Sequence, residues 1–293
     1  MTDQFTGVLA AISSGKRITP IIVTIYGVDG VGKSSFAAGA PNPIFLGLES
    51  GTNQLDVHRL PQPQSLGVFL QQLDALGDGE HPFKTIVIDS LDWLEPLIHR
   101  QVCAEGEVKS IELYEKGYGR GYIRALEIWR GILARVGELG KRFHVIMIAH
   151  SKITKFDDPE QSAGYDRYQI ALKDNAAAAI RQASDAVLFA NFKAGIKNIN
   201  HAGTGKGFGE GQRTMFTQCR PAFDAKNRYG LPFEMPLAWS AFGQAVKAFY
   251  DGANKAQEPV LSPGNGTLAG EAQTPPEMAV SAGQSVNSEP ATE

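Results

Sequence analysis

Gly27, Gly30, Gly32, Lys33 and Ser34 stand in the order G-x-x-x-x-G-K-S, with Val28, Asp29 and Val31 between them and Ser35 next. The chemistry this spacing permits is polyphosphate binding. Successive backbone N–H groups must converge on one anion, so the chain has to turn tightly round it. Glycines allow that turn and leave no Cβ in the way. Lys33 then reaches the β- and γ-phosphates, and the Ser34 hydroxyl reaches Mg²⁺. The expected ligands are ATP and Mg²⁺, with the nucleotide lying against Gly27 through Ser35.

Asp89 ends an apolar run, Thr85–Ile88, and is the second acid expected to hold Mg²⁺ opposite Ser34. The next residue is Ser90 and not Glu, so a base for water has to come from elsewhere. Glu49 is the candidate: it ends a short apolar run expected beside the first strand, where a carboxylate orients water for in-line attack. His150 ends another apolar run, His144–Ala149, and is placed to sense the γ-phosphate and inform the segment that follows. Lys226 and Arg228 are two apart, so an extended segment puts both cations on one face. Aimed at an adjacent protomer's nucleotide, they would act as a finger in trans.

The elements that must position these groups are legible as periodicity. Ile21–Tyr26 is an almost unbroken β-branched and apolar run, the pattern of a strand buried on both faces. Pro43–Leu48, Thr85–Ile88, His144–Ala149, Ala186–Phe192 and Thr214–Gln218 read as further strands. Leu66–Leu76, Leu91–Cys103, Ile123–Leu139, Ala176–Ala183 and Ala241–Tyr250 read as helices, and Phe5–Ser14 as an N-terminal one. Alternation of this kind predicts an α/β fold: a mainly parallel, doubly wound sheet with ligands beyond the carboxyl ends of its strands. Residues 1–17 are expected to form an arm, 18–251 the domain, and 252–293 a disordered acidic tail without aromatics.

Single-strand binding needs cations for the backbone and flat rings for the bases. Lys152, Lys155, Tyr165, Arg167, Tyr168 and Lys173 supply both in a polar stretch, Lys152–Lys173, expected to be a loop. Gly195–Gly211, expected to be a mobile hairpin tip or loop, adds Lys197, Lys206 and Arg213. Tyr114, Tyr118 and Arg120 lie in a glycine-rich break and are expected to line a helix–helix corner.

In this order, the phosphate loop, Glu49-Ser50-Gly51, Asp89-Ser90, the apolar run into His150-Ser151 and Asp224-Ala225-Lys226-Asn227-Arg228 resemble RecA-like ATPases. The likeness extends to the phage-encoded ATP-binding proteins of single-strand annealing and recombination, which have a minimal RecA-like core. It covers about residues 18–250. The resemblance implies that Glu49 activates water, that Lys226 and Arg228 act across a subunit interface in a ring or filament, and that the segments after His150 bind DNA. The expected partners are single-stranded DNA and further copies of the chain. A replication or single-strand-binding protein is a further candidate; a membrane is not. No additional folded DNA-binding domain is expected, unlike in the larger recombinases.

Composition agrees with a soluble domain: 293 residues, 43% hydrophobic and 20% charged, with a net charge of −3. From Lys255 onward the chain holds one Lys and five Glu, leaving residues 1–254 near +1. Cys103 and Cys219 form no disulfide framework and are expected to be small buried side chains. No basic leader precedes an apolar segment, and no run approaches the ~18 apolar residues of a membrane span, so a cytoplasmic location is expected. Two other functions fit the same loop: an ATP-switched module that recruits a replication or packaging protein, and a ring helicase motor. GTP is not expected, because the chain's one Asn-Lys, Asn254-Lys255, continues Ala256-Gln257 and not as a guanine-reading N-K-x-D.

Overall fold

The computed structural model describes residues 11–157, 163–197 and 206–255. The chain opens with β1 (Ile22–Gly27), α1 (Lys33–Ala38), β2 (Pro43–Gly47) and β3 (His58–Arg59). It continues through α2 (Leu66–Asp78), β4 (Thr85–Asp89), α3 (Leu91–Glu105), a kinked 3₁₀ segment (Ile111–Lys116) and α4 (Arg120–Leu139). Then come β5 (His144–Phe156), β6 (Tyr165–Ile170), α5 (Asp174–Ala183), β7 (Ala186–Lys197) and β8 (Lys206–Phe216). Two short strands, β9 (Lys226–Asn227) and β10 (Glu234–Pro236), precede α6 (Trp239–Lys255).

The strands lie in the order β10-β8-β7-β1-β5-β4-β2-β3, with β6 beside β5 and β9 beside β7. β1 to β5 and β7 pair in parallel along this order, while β6, β8, β9 and β10 add antiparallel pairs. The expected α/β, mainly parallel sheet is therefore what forms. Successive strand residues alternate faces. Tyr26, Ile88, Met147 and Phe189 face the layer of α2 to α5, where Phe69, Leu94, Trp129 and Ile180 complete one core. Val23, Ile25, Val87, Ile146 and Leu188 face α1 and α6 in the second core.

α1 has six residues, far short of the ~12–15 that an isolated helix needs. Packing must hold it. Phe36 is 1% exposed and meets Trp239 and Phe242 of α6 edge-on, at ring distances of 5.6 and 6.0 Å. Truncating such a ring usually costs about 3–5 kcal/mol, so α6 is what fixes the helix that opens at Lys33.

Several expectations are corrected. β2 does not lie beside β1: β5 and β4 stand between them. A run buried on both faces reads the same at any interior position of a parallel sheet, so its sequence carries no order. The expected polar loop Lys152–Lys173 is instead largely a strand pair, from Ser151↔Ile170 to Phe156↔Tyr165. Its residues do not read as a buried strand because this pair continues past the sheet's doubly covered part. The expected loop Gly195–Gly211 is also largely paired, Ala194↔Gly209 to Lys197↔Lys206, with a register shift between Phe192 and Ala194. The helix expected at Phe5–Ser14 falls mostly on residues 1–10, outside the described residues, and residues 12–14 are not helical. The expected tail falls outside them from residue 256 onward. Tyr118 is 95% exposed, lining no corner, and Cys219, in the turn after β8, is exposed while Cys103 is half-buried.

Candidate active site

The phosphate loop leaves the carboxyl end of β1, where Gly27 has His150 of β5 on one side and Ala190 of β7 on the other. A Cβ on Gly27 would lie 1.9 Å from the Ala190 carbonyl oxygen, so only glycine fits between the strands. Val31 is fully buried and pins the loop, and Gly32 turns into α1 at φ 106°, a value other residues rarely reach. Val28 is half-buried; Asp29, Gly30 and Ser35 are exposed. The Lys33 ammonium donates to the Gly27 and Val28 carbonyls at 3.0 Å each. Burial pushes its pKa down, opposed by Asp29 and Asp89.

Asp89, at the end of β4, is 1% exposed. Ser34 Oγ donates to Asp89 Oδ2 at 2.7 Å, and Asp89 Oδ1 is buried with no hydrogen-bond partner among the described residues. Burial pushes this carboxyl's pKa up, opposed by Ser34 and Lys33. An orphaned carboxylate oxygen beside a hydroxyl is the oxygen donor set that suits Mg²⁺, so the residues present fit the metal.

Glu49 follows β2 by way of Leu48 and lines the same cavity, of about 410 Å³, as Lys33, Ser34, Asp89 and His150. Two strands separate β2 from β1, yet the carboxyl ends of β2, β4 and β5 open on one cleft. Burial and then the Asp89 charge push the Glu49 pKa up, while His150 pulls it back.

His150 is held by an acid that carries no sequence signal of its own. Asp92, in the first turn of α3, accepts from the His150 backbone N–H at 2.9 Å and pairs with Nδ1 at 2.8 Å. The other ring nitrogen, Nε2, faces Asp29 of the phosphate loop at 3.5 Å. An acid at this position reads in sequence as a helix-dipole partner, so its imidazole-holding role gives no signal. The Asp92 hydrogen bond raises the His150 pKa despite burial. Burial works against the Asp92 carboxylate, but its bonds to His150 bring its own pKa down. His150 is therefore stabilised as a cation, and that contribution is lost as pH rises through its raised value. Asp92→Asn should lower the His150 pKa; an imidazole NMR titration of the two proteins would measure the drop.

Arg213, expected among the DNA-binding cations, instead lines the phosphate-loop cavity. Nothing local in sequence points a cation on β8 at a loop after β1.

Lys226 and Arg228 are not brought to this cleft. β9 pairs with β7 at Ala186 and Val187, the amino end, whereas the phosphate loop lies at the carboxyl end. Arg228 Nη1 pairs with Asp185 at 2.9 Å, and Asp185 accepts from the Ile22 N–H at the start of β1. Lys226 has its pKa lowered by burial and then by the neighbouring Arg228 charge.

The DNA candidates separate. Lys155 is exposed on β5. Lys152 donates to the Leu172 carbonyl at 2.6 Å and pairs with Asp174 at 3.0 Å. Tyr165 is half-buried, its ring 5.7 Å from Phe156. Lys173 precedes α5 with its ammonium 4.2 Å over the Tyr122 ring. Lys197 and Lys206 are register partners on β7 and β8. Arg167 and Tyr168 turn inward instead. Arg167 is 9% exposed, pairs with Asp224 at 2.6 Å and lies over Phe156. The Tyr168 ring packs 5.1 Å from Phe189. Neighbouring strand residues face opposite sides, and both sides are covered here, by Asp224 and Phe156 against Arg167 and by Phe189 against Tyr168.

A family model described as an AAA domain matches residues 19–229. The chain belongs to the AAA-domain family. Membership makes it a P-loop protein of an ATPase family, in which nucleotide and a divalent metal are the usual ligands. The chain is also similar to the SPbeta prophage-derived uncharacterized protein YorG of Bacillus subtilis (strain 168), with 28% identity over 153 residues. That match covers 51% of this chain and 46% of YorG, so the chain spans about half the length of the curated relative it matches. Among the described residues no helix is long and apolar enough to cross a membrane.

Proposed function

We propose that this AAA-domain protein hydrolyses ATP with Mg²⁺ and uses the nucleotide state to control single-stranded DNA binding, as a RecA-like oligomer in phage-type recombination or annealing. The observation that carries the reading is the continuity of β5. The strand runs unbroken from His150, which faces the phosphate loop, into the pair with β6 that presents Lys155. A change at the terminal phosphate is thereby one rigid element away from the exposed Lys155, whose register partner on β6 is Asp166. The prophage origin of YorG favours a phage setting.

In hydrolysis Glu49 would align a water and take its proton as the oxygen bonds the γ-phosphorus and the bond to the β-bridging oxygen breaks, releasing ADP. The raised Glu49 pKa suits that proton transfer near neutral pH. Lys33 neutralises charge on the phosphoryl group, and His150, its pKa raised by the Asp92 hydrogen bond, reports its presence to β5. Mg²⁺ held by Ser34 and Asp89 would supply charge neutralisation at the β- and γ-oxygens. Lys226 and Arg228 lie away from their own phosphate loop, which is compatible with service to a neighbour's nucleotide in a ring or filament.

Titrating a labelled single-stranded oligonucleotide with and without ATP, at two salt concentrations, tests the DNA role. Binding should strengthen with ATP and weaken with salt, and Lys155→Glu should lower affinity several-fold with a shallower salt slope. Wild-type protein at micromolar concentration that gives no ATP- or salt-dependent signal contradicts it and favours the partner-recruiting switch.

A further inference from the structure

Arg213 stands on β8 opposite Phe192, where the β7–β8 pairing shifts register. A Cβ built on Gly32 would lie 3.1 Å from Arg213 Nη1 and 3.7 Å from its Cδ. The guanidinium therefore rests directly against the turn that opens α1. Among the described residues it makes no hydrogen bond or ion pair, and it is exposed to the cavity.

Sheet order says which end of a nucleotide it would meet. Glu49, Asp89 and His150 come from β2, β4 and β5, all on one side of β1. Arg213 comes from β8, on the other side beyond β7. In a phosphate loop the backbone N–H groups cradle the α- and β-phosphates, while the lysine and serine attend to the β- and γ-phosphates and the metal. A terminal phosphate among Lys33, Ser34 and Asp89 leaves the rest of the nucleotide to run towards Gly32 and β8. A guanidinium suits that position, because its fork matches two phosphate oxygens.

We propose that Arg213 binds the α/β-phosphate end of the nucleotide in cis, against the Gly32 turn. The proposal rests on the nucleotide reading above and adds to it a residue that would recognise ADP as well as ATP. Because the guanidinium is exposed, water competes and the effect is modest, on the order of tenfold.

Affinities of full-length wild type, Arg213→Ala and Arg213→Lys for ATP and for ADP test it, with a thermal unfolding scan to verify folding. Arg213→Ala should weaken both nucleotides by about the same factor, ~10-fold, and Arg213→Lys should restore part of the loss. Weakening of ATP alone overturns the proposal by putting Arg213 at the γ-phosphate. Unchanged affinity for both, in a wild type that binds both, overturns it while leaving the nucleotide reading intact. A wild type that binds neither overturns the nucleotide reading and the proposal together.

Discussion

Lys33→Ala is expected to lower ATP turnover by about 10²–10³-fold or more and to weaken ATP binding, with no loss of thermal stability. The turnover estimate is that of removing one preorganised donor from charge that develops in a water-poor site. Lys33 is 6% exposed, its ammonium lies among loop carbonyls, and burial pushes its pKa down. The folded protein therefore holds this charge at a cost, so its removal should leave the unfolding midpoint unchanged or raised. A steady-state ATPase assay with a thermal scan reads both. A large fall in midpoint would mean that lost activity reports lost folding and says nothing about the phosphate.

Glu49→Gln is expected to keep ATP binding and lose about 10²–10⁴-fold in hydrolysis. The amide preserves size and hydrogen bonding but cannot take a proton from water. Burial and the Asp89 charge raise the Glu49 pKa, so wild-type turnover should fall on the acid side through a value above that of an ordinary carboxylate. The residual activity of Glu49→Gln should lack that limb. Single-turnover rates across pH would check this. Equal rates for variant and wild type would remove Glu49 from the chemistry and favour the ATP-switched module.

The sequence made some of this site legible and hid the rest for physical reasons. The phosphate loop is covalently local: four fixed positions, Gly27, Gly32, Lys33 and Ser34, bounded by a strand and a helix, define the turn without reference to the rest of the chain. Asp89 follows from the same logic, since an apolar run ending in an acid points to the carboxyl edge of the sheet. Glu49 was found by its strand-end position, although β2 lies two strands further from β1 than expected. All parallel strand ends share one edge, so the edge is legible when the order is not. The Asp92–His150 pair and the placement of Arg213 at the cavity were hidden because both depend on contacts across elements. Arg167 shows the converse. Its charge reads as available until Asp224 is placed at 2.6 Å. The strand extensions of β5 to β8 were illegible because buried strands announce themselves by apolar runs, and these arms extend past the core.

ATP hydrolysis per subunit should be measured against protein concentration, with and without single-stranded DNA. The rate should rise with concentration, as fingers in trans require, and rise again with DNA. A rate near zero that ignores both would contradict coupled hydrolysis and leave a nucleotide-binding AAA domain whose partner is something other than DNA.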